Sequence, residues 1–412
     1  MRVAFLLHDL QLSGGVGVVV QHARELVERH DFDVTLVLTH EQEQEPWAFD
    51  GLAHLHVEGL AQARAQRFDL AIATWWETTF SLFELHADRY ATFIQSLEDR
   101  FYPPGVPERS SAALTQGLPI AFVTEARWIA DTLRALHPQA PCLFVRNGID
   151  KQVFASPERI DVRLDEPLRI VVEGNPDVWF KNVPSALRCV EHMREPRHLT
   201  LVTGNPGRVD SDAPDKIVGP LSHQGMAQLY ACSDVVLKLS RVEGMYGPPL
   251  EGFHMGATCV TTPVTGHEEY VEHGWNGLVV DWDDERGTAR ALDLLARDRR
   301  LLHFLRTNAL ETARSWPSWE QAGTFMAAAL GTIQRAPAPA LGGTRLLMAD
   351  ARVQLEYDRR LAHEQIELRR AARFARVLKR VPLIERAWRA RRHPLLRALL
   401  RPLRPLLRRL LS

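Results

Sequence analysis

The chain of 412 residues, 45% hydrophobic and 25% charged, with 25 glycines and 25 prolines, is long enough to bury two cores. That composition excludes a collagenous, wholly disordered or disulfide-stapled protein. Its net charge of −1 hides an asymmetry, because residues 344–412 hold 19 Lys and Arg against 6 Asp and Glu, which leaves −14 on residues 1–343.

Met1 to Asp9 is an apolar run too short for a signal peptide and predicts a strand instead. Alternation of short β-rich runs with helical patterns continues to about residue 150, the mark of parallel strands joined by crossover helices. The predicted strands are 2–8, 34–38, 70–74, 92–95, 120–124 and 143–145, with helices over 16–29 and 125–136. A charged, proline-containing stretch over 151–167 reads as a linker. The alternation then restarts, with strands over 168–173, 198–203, 216–218, 235–239, 259–262 and 278–280. Helices are predicted over 183–191, 223–231 and 249–256, and helical patterns run from 285 to 329.

The expected organisation is therefore α/β, with two Rossmann-like domains at 1–155 and 165–333. A proline- and glycine-rich linker over 334–343 and a basic helical tail over 344–412 follow. No stretch of about 18 uncharged apolar residues is present, which argues against a transmembrane helix. Cys142, Cys189, Cys232 and Cys259 lack CxxC spacing, so neither zinc nor a disulfide framework is expected, and a reducing compartment fits.

The strongest local signal is Ser240-Arg-Val-Glu243-Gly-Met-Tyr-Gly-Pro-Pro-Leu-Glu251. Its path is strand, loop, helix, with Glu243 on the loop and Glu251 near a helix N-terminus, both facing the crevice where open α/β sheets bind ligands. Two ionised carboxylates there suit a hydroxyl-rich ligand; the plain alternative is that Glu251 only complements the helix dipole.

This element resembles the Glu-x7-Glu motif of retaining family-4 (group 1) glycosyltransferases of the GT-B superfamily. Gly256 to Gly266, Glu269 to Gly274 and Asn276 to Val280 are similar to that family's downstream segments. Gly14-Gly15-Val-Gly17 is similar to its N-terminal glycine loop, and Asn147-Gly148-Ile149-Asp150 to its interdomain segment. The resemblance spans about residues 1–333 and implies a GT-B fold, with the nucleotide-sugar donor on the second domain and a glycan or lipid-linked glycan acceptor on the first. It also implies a last helix, near 319–329, that crosses back to the first domain.

Residue by residue, the resemblance implies that Glu243 contacts the transferred sugar and Glu251 the donor ribose, while Lys181 neutralises the diphosphate. A fixed cation suits a departing nucleotide that gathers negative charge; the alternative for Lys181 is a solvated loop charge. Further donor contacts are expected at Gly15, Gly17, Asn175, Arg241, Gly244, Tyr246, Gly247 and Pro248. One departure stands out, since Asn175 follows Gly174 where the family places an arginine. Arg241, Arg146 or the amides of residues 14–17 are the candidate substitutes; read alone, that glycine loop is only a tight turn.

In the first domain Trp76, Gln95 and Glu98 are the expected acceptor contacts. The segments that hold them, residues 73–79 and 93–103, resemble a subgroup that includes bacterial rhamnosyltransferases of surface polysaccharides. Core packing is the alternative for Trp75 and Trp76, and a solvated turn for Gln95 and Glu98. No metal or other cofactor is expected. Asp281-Trp-Asp283 and Asp210-Ser-Asp212 match a three-residue pattern too common to carry weight, and the first is expected to end a strand and cap a helix. His363 to Glu367 fails as HExxH.

The tail is helical in pattern over 345–378 and alternates Arg and Leu from Pro382 on. It is expected to lie on an anionic membrane surface, which places the protein in the cytoplasm, peripheral to the inner face of the cell membrane. Rival readings are an oligomer arm and an acidic partner; no nucleic acid is expected. A chain ending at Gly343 is expected to remain soluble and active. The function expected from all of this is retaining transfer of a sugar, rhamnose being one candidate, from a nucleotide diphosphate to a glycan. The competing readings are a non-catalytic GT-B binder of glycan or nucleotide, and an epimerase of the same fold.

Overall fold

The computed structural model describes residues 1–42, 45, 47–161 and 166–380, with side chains to 373. The first domain is built from β1 (Arg2–Leu7), α1 (Gly14–His30), β2 (Asp33–Leu38), β3 (His56–Gly59), α2 (Leu60–Ala63), β4 (Arg67–Ala73) and α3 (Thr78–Leu82). It continues through β5 (His86–Ile94), α4 (Pro107–Thr115), β6 (Ala121–Thr124), α5 (Arg127–Leu136) and β7 (Cys142–Phe144). The second holds β8 (Leu168–Glu173), α6 (Val183–Glu191), β9 (Arg197–Val202), β10 (Lys216–Val218), α7 (His223–Ala231), β11 (Val235–Lys238) and α8 (Gly247–His254). It ends with β12 (Thr258–Thr261), β13 (Gly277–Val279), α9 (Glu285–Arg297) and α10 (Arg299–Ser315). Two long helices close the described chain, α11 (Trp319–Arg335) and α12 (Gly342–Arg380).

Each domain carries one wholly parallel sheet, in the orders β3-β2-β1-β4-β5-β6-β7 and β10-β9-β8-β11-β12-β13. Strands such as β1 and β11 are apolar along almost their whole length because helices cover both of their faces, and both are buried throughout apart from Arg2. The strand order reverses between β1 and β4 and again between β8 and β11. Such a switch point opens a crevice at the carboxyl ends of the strands. In the second domain it is bounded by Glu173, the last residue of β8, and Lys238, the last residue of β11.

Two elements depart from the expected strand set. The edge strand β3 pairs only with β2, and its sequence His-Val-Glu-Gly shows no apolar alternation because it is never deeply covered. β5 begins at His86 rather than Thr92; its polar first half pairs with β4 from Arg67 onward, outside the core.

α11 crosses back, burying Met326, Ala329, Leu330 and Ile333 in the core that contains β1 and α1. Its start is fixed by a capping box between Ser318 and Gln321. The chain passes so close to the Asn147-Gly148 segment that a Cβ on Gly148 would lie 2.4 Å from the Trp319 backbone.

The tail is not a separate appendage over its first half. Met348 (1% exposed) and Leu355 (4%) pack into the first-domain core beside Trp76, Phe80 and Leu85. Arg352 pairs with Glu84 at 3.0 Å, and Arg359 with Glu108 at 2.9 Å and with Glu77. The expectation that cutting at Gly343 leaves an intact domain is therefore corrected, since that cut would uncover the bed of Met348 and Leu355. Beyond Arg359 the helix exposes Leu361, Ile366 and Leu368. The Arg/Leu segment from Pro382 lies outside the described residues. Among those described, no helix is long and apolar enough to cross a membrane.

Candidate active site

The switch point of the second sheet gathers alternating charges. Lys181, on the loop after β8, donates to Glu243 Oε1 at 2.9 Å and Oε2 at 3.2 Å. Lys238 donates to Glu173 Oε2 at 3.0 Å and lies 3.7 Å from Glu243 Oε1. Lys238 is buried, and Glu243 nearly so. Burial alone would raise both carboxyls, yet the adjacent Lys238 and Lys181 hold Glu173 and Glu243 below the ordinary carboxylate value. Reciprocally, burial opposes the charge on Lys238, but Glu173 and Glu243 keep it above the ordinary lysine value. The cluster is thus an ionised lattice, paid for by mutual attraction in a medium of low polarity.

Glu251 sits apart from this lattice. Helix α8 begins at Gly247, so Glu251 lies in its second turn rather than at its N-terminus; Pro248 and Pro249, with their fixed φ, extend the helix two residues earlier than expected. Burial pushes Glu251 up to about 7, against the pull of His223 and Lys238. A hydroxyl-bearing ligand arriving there meets a carboxyl poised between its two forms.

The remaining expected donor residues separate into backbone and side-chain cases. Tyr246 is the N-cap of α8, but its ring is interior, its hydroxyl 2.6 Å from Thr261 Oγ1 and its carbonyl accepting from the Tyr270 hydroxyl at 2.6 Å. Gly247 lies against Glu251, whose Oε1 would be 3.4 Å from a Cβ there. Pro248 has no N–H, which leaves the start of α8 few donors for an anion. Asn175 makes a local turn, accepting from the Asp177 amide at 3.0 Å. Arg241 is engaged with Asp283, and Arg146 stacks on Trp316 with its Nη2 3.5 Å from Glu269. Neither arginine is an open phosphate clamp. Asp281 and Asp283 do not cap the next helix; Asp284 does, accepting from the Gly287 amide at 2.7 Å.

On the first domain, Gly15 and Gln95 meet, with Gln95 Nε2 donating to the Gly15 carbonyl at 3.1 Å. Gly17 faces Phe49. Trp76 and Glu98 do not form the open sugar face expected from sequence. Trp76 is 2% exposed and hydrogen-bonded through Nε1 to the Tyr102 hydroxyl at 3.1 Å, while Glu98 lies beneath it, accepting from the Trp76 amide at 2.6 Å. Burial raises Glu98 well above the ordinary carboxylate value, which favours its neutral form. The reason is chain direction: after β4 the chain turns down into α3, carrying Trp76 inward. Trp75, left half-buried, stacks on Phe101, which in turn meets Phe180 from the second domain at 4.8 Å.

Sequence reasoning passed over Glu173, Lys238 and Glu125. The first two were available as charges ending otherwise apolar strands. Glu125 follows β6, accepts from Asn147 Nδ2 at 2.6 Å, and is pushed by burial up to about 8.

Residues 168–298 match a family model described as glycosyl transferases group 1. No curated protein matches the chain in sequence. Among solved structures, the chain is similar to Anabaena Alr3699/HepE in complex with UDP and glucose, at 14% identity and a TM-score of 0.65 over 81% of this chain and 100% of that one. Sucrose-phosphate synthase from Thermosynechococcus elongatus gives 15% identity and a TM-score of 0.66 over 81% and 98%. The lipopolysaccharide outer core galactosyltransferase WaaB gives 12% and 0.57 over 81% and 99%. These likenesses establish the architecture as GT-B, and the match to the glycosyl transferases group 1 model covers the segment from β8 to Asp298, which carries Lys181, Lys238, Glu243 and Glu251.

Proposed function

We propose that the chain is a metal-independent, retaining glycosyltransferase that moves a sugar, rhamnose being one candidate, from a nucleotide diphosphate to a glycan of the cell surface. The observation that carries this reading is the Lys181–Glu243 pair at the switch point of the segment that matches the glycosyl transferases group 1 model. In the reaction the acceptor hydroxyl forms a bond to the anomeric carbon on the face from which the diphosphate departs. The bond from that carbon to the phosphate oxygen breaks, its electron pair stays with the phosphate, and the leaving phosphate takes the hydroxyl proton. Lys181 leaves its pairing with Glu243 to neutralise the diphosphate, and Glu243 is released to accept from sugar hydroxyls. Glu251 receives the ribose. Because two lysines supply the cation, the reading needs no divalent metal, and turnover should survive chelation.

A thermal-shift screen over UDP, GDP and dTDP sugars tests the reading, since a ligand present at 100 times its Kd adds about 2.7 kcal/mol to native stability. Release of nucleotide that depends on added glycan, with a product of unchanged anomeric configuration by NMR, completes it. A screen in which no nucleotide sugar raises the midpoint would remove the proposal. Binding without release would favour the non-catalytic alternative, which the engagement of Arg241 by Asp283 supports.

The basic segment beyond residue 360 is proposed to hold the enzyme on the anionic inner face of the cell membrane, near a lipid-linked acceptor. Each basic residue close to such a surface adds roughly 1 kcal/mol. A chain ending at Arg360 keeps the docked half of α12 and should lose sedimentation with phosphatidylserine vesicles while retaining its melting midpoint. A chain ending at Gly343 should instead lose stability, on the order of 3 kcal/mol for uncovering Met348, Leu355 and their bed.

A further inference from the structure

The loop that carries Glu243 belongs to the second domain by sequence but is gripped by the first. Trp128 Nε1, on α5, donates to the Gly244 carbonyl at 3.0 Å. The Met245 amide points to Glu125 Oε1 at 3.4 Å, and the Met245 side chain packs between a first-domain apolar cluster that contains Ile94, Trp128 and Ile129 and an apolar cluster of its own domain. Arg100 Nη1 donates to Thr265 Oγ1 at 2.9 Å, and Thr265 Oγ1 in turn donates to the Glu243 carbonyl at 3.2 Å. Gly244 explains itself here, since a Cβ would sit 1.7 Å from the Gln95 carbonyl oxygen. The glycine allows the two domains to touch along their main chains.

We propose that Trp128, Glu125 and Arg100 of the first domain are positioning residues for Glu243, so that the donor-side carboxylate is set only when the acceptor domain is closed upon it. This rests on the reading of Glu243 as a donor contact. Every hydrogen bond of the grip ends on residues 243–245 or on Thr265, and Met245 is a side chain two residues from Glu243 that packs against the other domain's apolar cluster. Lys181 and Lys238 fix the Glu243 carboxylate from one side, and the grip fixes its main chain from the other. When the domains separate, the loop loses Trp128, Glu125 and the Arg100–Thr265 relay together. A donor bound to the open form then faces a carboxylate out of place and is spared from reaction with water until the acceptor domain arrives.

The test uses the full-length chain with Trp128→Phe, which keeps a ring beside Met245 and removes the N–H, and Arg100→Met, which keeps the stem and removes the donor. Amide exchange of the peptide spanning 243–247, measured without ligand, should rise at least tenfold in the Trp128→Phe and Arg100→Met variants, while β8 stays protected. With UDP as the probe, Kd by titration calorimetry should stay within about twofold, whereas kcat for the donor turned over by the wild type should fall about tenfold or more. Unchanged exchange at 243–247 would overturn the proposal. So would faster exchange with kcat intact, or a Kd that weakens in step with kcat. If UDP does not bind and no donor is turned over, the transferase reading fails, and the exchange measurement still decides whether the first domain holds this loop.

Discussion

The two domains treat buried carboxyls in opposite ways. In the second, the buried Glu243 and the half-buried Glu173 lie beside Lys181 and Lys238, which hold both below the ordinary carboxylate value. In the first, Glu98 and Glu125 are buried, have no cation in contact among the described residues and bond to amides instead, and burial raises both above the ordinary carboxylate value. A buried carboxyl without a partner charge neutralises because desolvation costs more than a neutral hydrogen bond returns. The difference fits the proposed function: the charged lattice can trade an internal ion pair for a diphosphate or a hydroxyl, and the uncharged pair cannot.

The widest gap between the two should show in turnover. Lys181→Met removes the cation paired with Glu243 that the proposed reaction turns toward the diphosphate, and kcat should fall on the order of 10²- to 10³-fold. Because Lys181 is partly exposed, the melting midpoint should move only a few degrees. A variant with near-normal turnover would show that the lattice is structural.

Lys238→Met should do the reverse. Lys238 is deep, and its loss leaves the buried Glu243 short of one cation and the half-buried Glu173 without its hydrogen-bonded lysine. Breaking a buried pair from one side costs about 3–5 kcal/mol, which urea unfolding would read directly. A cost under about 1 kcal/mol would mean that Glu173 takes up a proton without penalty, and the contrast between the domains would weaken.

Much of this contrast was hidden from the sequence for a physical reason. The parallel strands were legible because both of their faces are apolar, and Glu243, Glu251 and Lys181 were singled out through the resemblance to family motifs. Lys238 and Glu173 are 65 positions apart and meet only because β8 and β11 are neighbours at the switch point. In sequence each reads as a charge that ends a strand and meets water. Trp76 was misplaced because an aromatic pair after a strand does not reveal which ring the next turn carries inward. The docking of α12 left a faint trace, Met348 and Leu355 seven positions apart in a charged segment, too sparse to separate from an amphipathic tail.

A third measurement concerns pH. Native Glu125 holds its proton up to about 8, while the unfolded chain releases it near the ordinary 4.5. Between those values the unfolded state binds fewer protons, so this group makes stability fall as pH rises through the window. Glu125→Gln deletes that slope. Relative to wild type, the variant should gain roughly 3 kcal/mol between pH 5 and pH 8 in paired urea titrations. Parallel stability curves for the two proteins would place Glu125 among the ionised carboxylates and merge the two classes.

The smallest effect should come from Glu98→Gln. A protonated acid and an amide have nearly the same volume and are both neutral, and the amide oxygen can accept from the Trp76 amide as Glu98 Oε2 does at 2.6 Å. The exchange of one neutral acceptor for another should cost no more than about 1 kcal/mol, with no change in pH slope. A loss above about 3 kcal/mol would show that Glu98 is charged in the native state. If stability holds but the KM for acceptor rises severalfold with kcat unchanged, Glu98 touches the acceptor after all, and this region must open when the glycan binds, because Glu98 is buried and its Oε2 is engaged by the Trp76 amide.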